Sequence, residues 1–179
     1  INPGANVGRS VYHSGTIGAT LTGRNYGISG VAVSQAVAGF GVEGQGWDEM
    51  VKGQLWDSAA TVASRVVGGL IAAPHDEPVV INVNVPNLPI DEIKGWRRTR
   101  VGYELPRAMA SARKELKEGH TNSYSVKLEI GEALPLPIDT DGGAVEAGEV
   151  SLTFLSRLTH HDLPGETGAE AALSGLLSR

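Results

Sequence analysis

No cysteine occurs in the 179 residues. Disulfides, thiolate metal sites and thiol nucleophiles are thereby excluded, and a cysteine-free composition suits a reducing compartment. No stretch reaches the roughly 18 apolar residues that a membrane helix needs, and no signal-peptide pattern is visible. The chain is therefore read as cytoplasmic, with no membrane partner. Positive charge is also in short supply, with 15 Lys and Arg against 20 Asp and Glu, a net charge of −5. The densest basic stretch, Arg97-Arg98-Thr99-Arg100, is too short to form a stripe for a nucleic-acid polymer. A bound nucleotide is expected to be a small molecule.

What is plentiful is glycine, 24 residues, about twice the usual share of roughly 7%. Hydrophobic residues make up 41% and charged residues 20%, a globular composition with enough chain for one domain and a proper core. The glycines concentrate early. NPGANVG (2–8) and SGTIGAT (14–20) place small, amide and hydroxyl side chains together, with Arg9 the only charge among them.

Residues 14–25 read as a short helix with Ser14 or Thr16 near its N-cap. Residues 29–37 are β-branched and apolar, suited to a buried parallel strand. A glycine-rich insertion follows at 38–54. Residues 57–72 carry Ala59, Val62, Ala63, Val66, Val67, Leu70 and Ile71 at helical spacing, and VVINVNV (79–85) is the next strand, stopped by Pro86. Loop, helix, strand, helix, strand is the order of a parallel sheet covered by helices.

The second half changes character. Residues 94–105 read as extended and 107–118 as a charged helix. Residues 123–130 and 149–154 alternate in the manner of antiparallel strands or a hairpin. The chain ends in a helix opened by a capping box, Thr167 to Glu170, with Ala169, Ala172, Leu173, Leu176 and Leu177 on one face. The expected fold class is α/β, a Rossmann-like three-layer domain over residues 1–105. A smaller antiparallel part and a terminal helix follow over 106–179.

Backbone N–H groups of a first helical turn lack partners and carry the positive end of the macrodipole. An anion there gains hydrogen bonds. Ser14, Gly15 and Thr16 stand at such a helix start. Gly15 admits a ligand to the backbone, and the two hydroxyls can donate to phosphate oxygens. Asn6 adds an amide donor, and Asn2 a carbonyl oxygen suited to a hard divalent cation. The bland alternative is that Asn and Gly form turns and Ser-Gly-Thr merely opens a helix.

INPGANVG with YHSGTIGAT resembles the signature of the SurE family, the metal-dependent survival-protein nucleotidases. That signature is a G-I-N-x-G-x-N-x-G loop followed by Y-S-G-T-V-x-A-A. The likeness extends through GISGVAVS (27–34), INVNVPNLPIDEIKGWRRTRVG (81–102), TDGGAVEAGEVSLTFL (140–155) and the terminal helix. The resemblance implies Asn2 as a metal ligand, with Asn6, Ser14, Gly15 and Thr16 on the phosphate. It implies hydrolysis of nucleoside 5′- or 3′-monophosphates with Mg²⁺ or Mn²⁺, and a homodimer or homotetramer built through the C-terminal part. It also implies paired aspartates, N-D-D-G, at the end of an earlier strand. These are not in the chain, which begins at Ile1 inside the motif. The expectation is that the pair lies upstream, that the catalytic carboxylates are to be sought there, and that this segment alone recognises phosphate without hydrolysing it well. It is also expected to expose a sheet edge and apolar surface.

Three further features carry two readings each. His160-His161-Asp162 resembles a metal cluster but reads more simply as a surface turn, because adjacent side chains of an extended segment point apart. His13, beside Ser14, is read as structural or as a proton-transfer group. Trp56 is expected to pack in the core or at an interface, while Trp47 and Trp96 are open to either stacking on a base or packing. The rival function from another class is a non-catalytic, oligomerising nucleotide-binding homologue. A dinucleotide-binding protein has less support, since no G-x-G-x-x-G opens a helix.

Overall fold

A computed structural model of the chain describes residues 1–37, 51–104, 107–158, 164, 165 and 167–176. Five strands form the main sheet: β1 (Asn2–Pro3), β2 (Gly30–Gln35), β3 (Val80–Val85), β4 (Trp96–Arg98) and β7 (Val150–Leu155), in spatial order β1-β2-β3-β7-β4. β1, β2 and β3 run parallel, β7 runs antiparallel to β3, and β4 is parallel to β7. The α/β class with a parallel-dominated sheet is thus the observed one, and β7 lies inside this sheet although it comes from beyond residue 105.

Strand alternation gives the sheet two unlike faces. Val33, Ile81, Val83, Val85 and Val150 form an apolar face. Helix α2 (Trp56–Ala72) closes it with Ala59, Val62, Ala63, Val66 and Leu70. Val67 and Ile71 of the same helix stay exposed and line a groove of about 410 Å³ with Ser29, Val31 and Pro74. β1 pairs only with Ser34 and Gln35, so the Gly30–Val33 side of β2 has no strand beside it among the described residues. The expected open edge and apolar surface are both present.

The opposite face carries Gly30, Ala32 and Ser34 on β2, Asn82 and Asn84 on β3, and Ser151 and Thr153 on β7, set side by side by the strand register. α1 (Gly15–Asn25) covers it, with Ile17 buried and Thr20 packed so tightly on Gly30 that a Cβ there would lie 2.8 Å from the Thr20 Cβ. The short helix α3 (Asp141–Glu146) packs on β7 from the same side. Helices on both faces complete three layers.

Residues 107–118 are not a helix. β5 (Arg107–Leu116) pairs antiparallel with β6 (Tyr124–Ala133) in a separate two-stranded sheet, with register shifts between Arg107 and Ser111. Ala, Arg, Lys, Glu and Leu favour helix locally, but cross-strand pairing overrides so weak a preference. Lys114 lies 4.7 Å over the Tyr124 ring, one such pair. The opening stretch, read from its sequence as a loop, contains a 3-10 helix over Gly8–His13. The terminal helix α4 (Gly168–Leu176) has the anticipated capping box. The Glu170 carboxylate accepts from Thr167 N–H at 2.6 Å, and Glu170 N–H donates to Thr167 Oγ1 at 3.3 Å. Trp56 is 39% exposed and Trp96 70% exposed, so Trp56 is not a core residue of this chain. Trp47, most of the 38–54 insertion, Leu177 and the His160-His161-Asp162 cluster lie outside the described residues.

Candidate functional site

The chain enters along β1, whose Asn2 stands opposite Ser34. The Asn2 amide nitrogen donates to the carbonyls of Gly4 (2.8 Å) and Pro3 (3.1 Å). Both donors are held by local backbone; Oδ1, an acceptor only, makes no hydrogen bond among the described residues. Gly4, at φ 92°, turns the chain over the polar face of the sheet.

Residues 4–8 then cross that face without belonging to a strand. Buried backbone groups require partners, and here side chains of the sheet supply them. Asn6 N–H donates to Asn84 Oδ1 at 2.7 Å. Asn84 Nδ2 returns a bond to Asn6 O at 3.2 Å, and Asn82 Nδ2 donates to the same oxygen at 2.9 Å. The Asn84 amide thus pairs with residue 6 as the backbone of an antiparallel neighbour would. Asn6 is itself buried, and one of its amide N–H groups goes to Ser34 Oγ at 2.7 Å. Asn2 and Asn6 therefore meet at a common neighbour, Ser34.

The loop is held at its far end by Asp141. One carboxylate oxygen accepts from Gly8 N–H (3.0 Å), the other from Gly102 N–H and Gly142 N–H (both 2.9 Å). Gly8 has φ +55°, and a Cβ there would meet the Glu104 carbonyl oxygen at 2.6 Å, so only glycine fits. Asp141 is fully buried, and both its oxygens serve backbone N–H groups. Burial pushes its carboxyl above the ordinary aspartate range, against the pull of the three N–H donors. A raised folded-state value means that its contribution to stability is complete below the ordinary aspartate pKa and is lost as pH rises through the raised one. Thermal melts against pH should therefore show Asp141→Asn gaining on the parent as pH rises above about 4. A gap that instead widens in the parent's favour would mean that the N–H donors outweigh burial.

From Gly8 the 3-10 helix leads to Ser14, the N-cap of α1, whose Oγ accepts from Ile17 N–H at 3.2 Å. Ser14 and Thr16 are half-buried and Gly15 exposed. A Cβ on Gly15 would meet nothing within 4 Å, so packing does not demand glycine there. The open space lies over the first turn of an eleven-residue helix, where N–H groups face outward. His13 is exposed beside it. α1 packs on Gly30 and the loop on Ser34, so both halves of the candidate site share one face of the sheet. No hydrogen bond joins Asn2 or Asn6 to Ser14, Gly15 or Thr16 among the described residues.

A hard divalent cation takes about six or more oxygens, carboxylates prominent among them. Asn2 Oδ1 has the right chemistry for one of these positions. Among the described residues no cluster of three or more His, Asp or Glu could hold a metal, so this donor set fits a cation only in part. The basic stretch is committed elsewhere. Arg97 makes a two-pronged pair with Glu149 (2.7 and 3.0 Å), Arg98 lies 4.8 Å over the Phe154 ring, and Arg100 pairs with Asp139 at 2.8 Å.

Sequence reading missed Asn82, Asn84 and Asp141 as anchors. One signal was available: two asparagines alternate along VINVNV, a strand buried at every position. Asn82 Oδ1 is buried without a partner among the described residues, a cost of about 1–3 kcal/mol where none is supplied.

The family model described as Survival protein SurE matches residues 1–107. A 5′/3′-nucleotidase SurE of Erwinia tasmaniensis is 35% identical over 178 residues, 99% of this chain and 62% of the relative. The crystal structure of SurE protein from Aquifex aeolicus superposes with a TM-score of 0.64 at 29% identity, covering 98% of this chain and 62% of that one. The chain thus spans less than two thirds of the length of either relative.

Proposed function

Because the chain belongs to the SurE family, we propose that it is the phosphate-recognising part of a metal-dependent phosphohydrolase of nucleoside 5′- or 3′-monophosphates. One observation carries this reading: an open, side-chain-free helix start at Gly15 on the same sheet face as a loop that presents Asn2 Oδ1. Ser14 and Thr16 donate hydroxyl protons to phosphate oxygens, and the outward N–H groups of the first turn stabilise the charge on the phosphoryl group. Asn6 borders the same site. Asn2 Oδ1 serves as one oxygen ligand of Mg²⁺ or Mn²⁺. Such a cation supplies Lewis-acid polarisation and a more acidic water. The paired aspartates that would complete its shell belong, on this reading, to the portion of the relatives' length that the chain does not span. The 179 residues alone would then bind phosphate and turn over little.

The hairpin β5–β6 and α4 expose Leu116, Tyr124, Val126, Leu173 and Leu176, which suits a homodimer or homotetramer contact. The substrate on this proposal is a nucleoside monophosphate, met in the cytoplasm. For the membrane, the finding is that no described helix is long and apolar enough to cross one.

The test is orthophosphate release from a panel of 5′- and 3′-monophosphates, with Mg²⁺, Mn²⁺ or chelator, by the chain fused to the Asp-pair segment of a family member. Release abolished by chelator is expected. Phosphate binding by the fusion with no release from any nucleotide would favour the non-catalytic homologue. Asn2→Ala should weaken metal binding about tenfold or more. Thr16→Ala should weaken phosphate binding by a similar factor, the loss of a hydrogen bond to a charged group. Gly15→Ala should separate stability from function, raising the melting temperature slightly while its methyl group obstructs the anion. Unchanged hydrolysis of AMP and GMP by all three variants would remove these residues from the site.

A further inference from the structure

Asn82 and Asn84 sit on the central strand of the sheet, fully buried, among Val80, Ile81, Val83 and Val85. A strand covered on both faces reads normally as continuous apolar residues. Here two of its three side chains on the polar face are amides, and one acceptor, Asn82 Oδ1, has no partner among the described residues. Three of their four polar side-chain atoms end on one residue, Asn6: two donors on its carbonyl and one acceptor on its N–H. Among the described residues their side-chain hydrogen bonds run to Asn6 alone. Ser34, Ser151 and Thr153 meet Asn6 or Thr99 through hydroxyls.

We propose that Asn82 and Asn84 are positioning residues that hold the loop between Asn2 and Gly8 in its binding geometry. This rests on the reading of Asn2 and Asn6 as part of a phosphate and cation site. The amides touch neither ligand. They act through Asn6, whose N–H and C=O they clamp from beneath, so that the Asn2 amide on one side and Gly8 on the other keep a constant spacing. An apolar residue at either position would let the loop lift from the sheet.

The decisive variant is Asn82→Leu, because it removes an orphaned acceptor along with a clamp. Asn6 O keeps its bond from Asn84 Nδ2 when Asn82 is replaced, so no buried group is newly stranded and stability can hold or rise. A purely structural Asn82 gives no reason for binding to fall while stability holds. Three quantities are read on the whole chain: melting temperature, amide hydrogen exchange at Asn6, Gly8 and the β3 positions, and affinity for orthophosphate in the presence of Mn²⁺. Asn82→Leu is expected to melt at or above the parent temperature. Exchange should quicken at Asn6 and Gly8 but not along β3, and affinity should fall about tenfold, the low end for outer partners of a ligand site. Asn84→Leu should quicken exchange at Asn6 and weaken affinity further, but it strands the Asn6 N–H and should melt below the parent; if it fails to fold, Asn82→Leu still decides. Faster exchange at Asn6 with unchanged affinity overturns the positioning role alone. A parent chain that binds neither phosphate nor Mn²⁺ overturns the underlying site reading, and the positioning role with it.

Discussion

Gly143→Ala is expected to cost about 3 kcal/mol or more, roughly 6–12 °C in melting temperature for a chain of this size. A Cβ on Gly143 would fall on the Pro137 carbonyl oxygen, with the Leu136 carbonyl oxygen 3.0 Å away. Neither is the mobile end of a side chain. The Pro137 oxygen is fixed by Thr140, which donates to it from N–H (3.0 Å) and from Oγ1 (2.6 Å). Thr140 in turn caps α3, its Oγ1 accepting from Gly143 N–H at 3.1 Å. The methyl group would therefore have to open the turn that starts the helix and delivers Asp141. Gly142→Ala is the internal comparison. There the near atom, 2.6 Å away, is Leu136 Cδ1, and a leucine tip can rotate, so the loss should be smaller. Equal melting temperatures for the two variants would show that the Pro137 carbonyl is not the obstacle.

Asp141→Ala is expected to be worse. It strands the N–H groups of Gly8, Gly102 and Gly142 together, at about 1–3 kcal/mol for each buried donor left unpaired. The total approaches the whole stability of an ordinary domain. Three segments distant in sequence meet at this one carboxylate: the loop ending at Gly8, the stretch after β4, and α3. Asp141→Asn keeps one acceptor oxygen and should fall between Asp141→Ala and the parent in denaturant midpoint. An alanine variant within about 1 kcal/mol of the parent would mean that water or relaxed backbone replaces the carboxylate, against the usual cost of an unmade buried bond. The positioning role of Asn82 and Asn84 does not depend on this result, since their bonds run to Asn6.

The elements that were legible in the sequence are those whose cause is local. Ser14 caps α1 through a bond to Ile17, three residues on, and Thr167 and Glu170 close a capping box within one turn. The apolar period of α2 and the β-branched runs of β2 and β3 correspond to real buried faces. Residues 107–118 misled because their composition favours helix, while their structure depends on β6, through pairs such as Glu115 with Ser125 and Leu116 with Tyr124. Propensity is a weak prior when a partner strand is at hand.

The candidate site divides in the same way. The amino-acid sequence by itself placed amide, hydroxyl and glycine residues at a helix start and in the loop before it, because cap chemistry and turn chemistry act over three or four residues. Only the tertiary structure decided what holds that loop. Asn82 and Asn84 lie 76 and 78 residues from Asn6, and Asp141 lies 133 residues from Gly8. Such bonds exist only once the sheet has formed and a buried backbone with no strand beside it must take its hydrogen-bond partners from side chains.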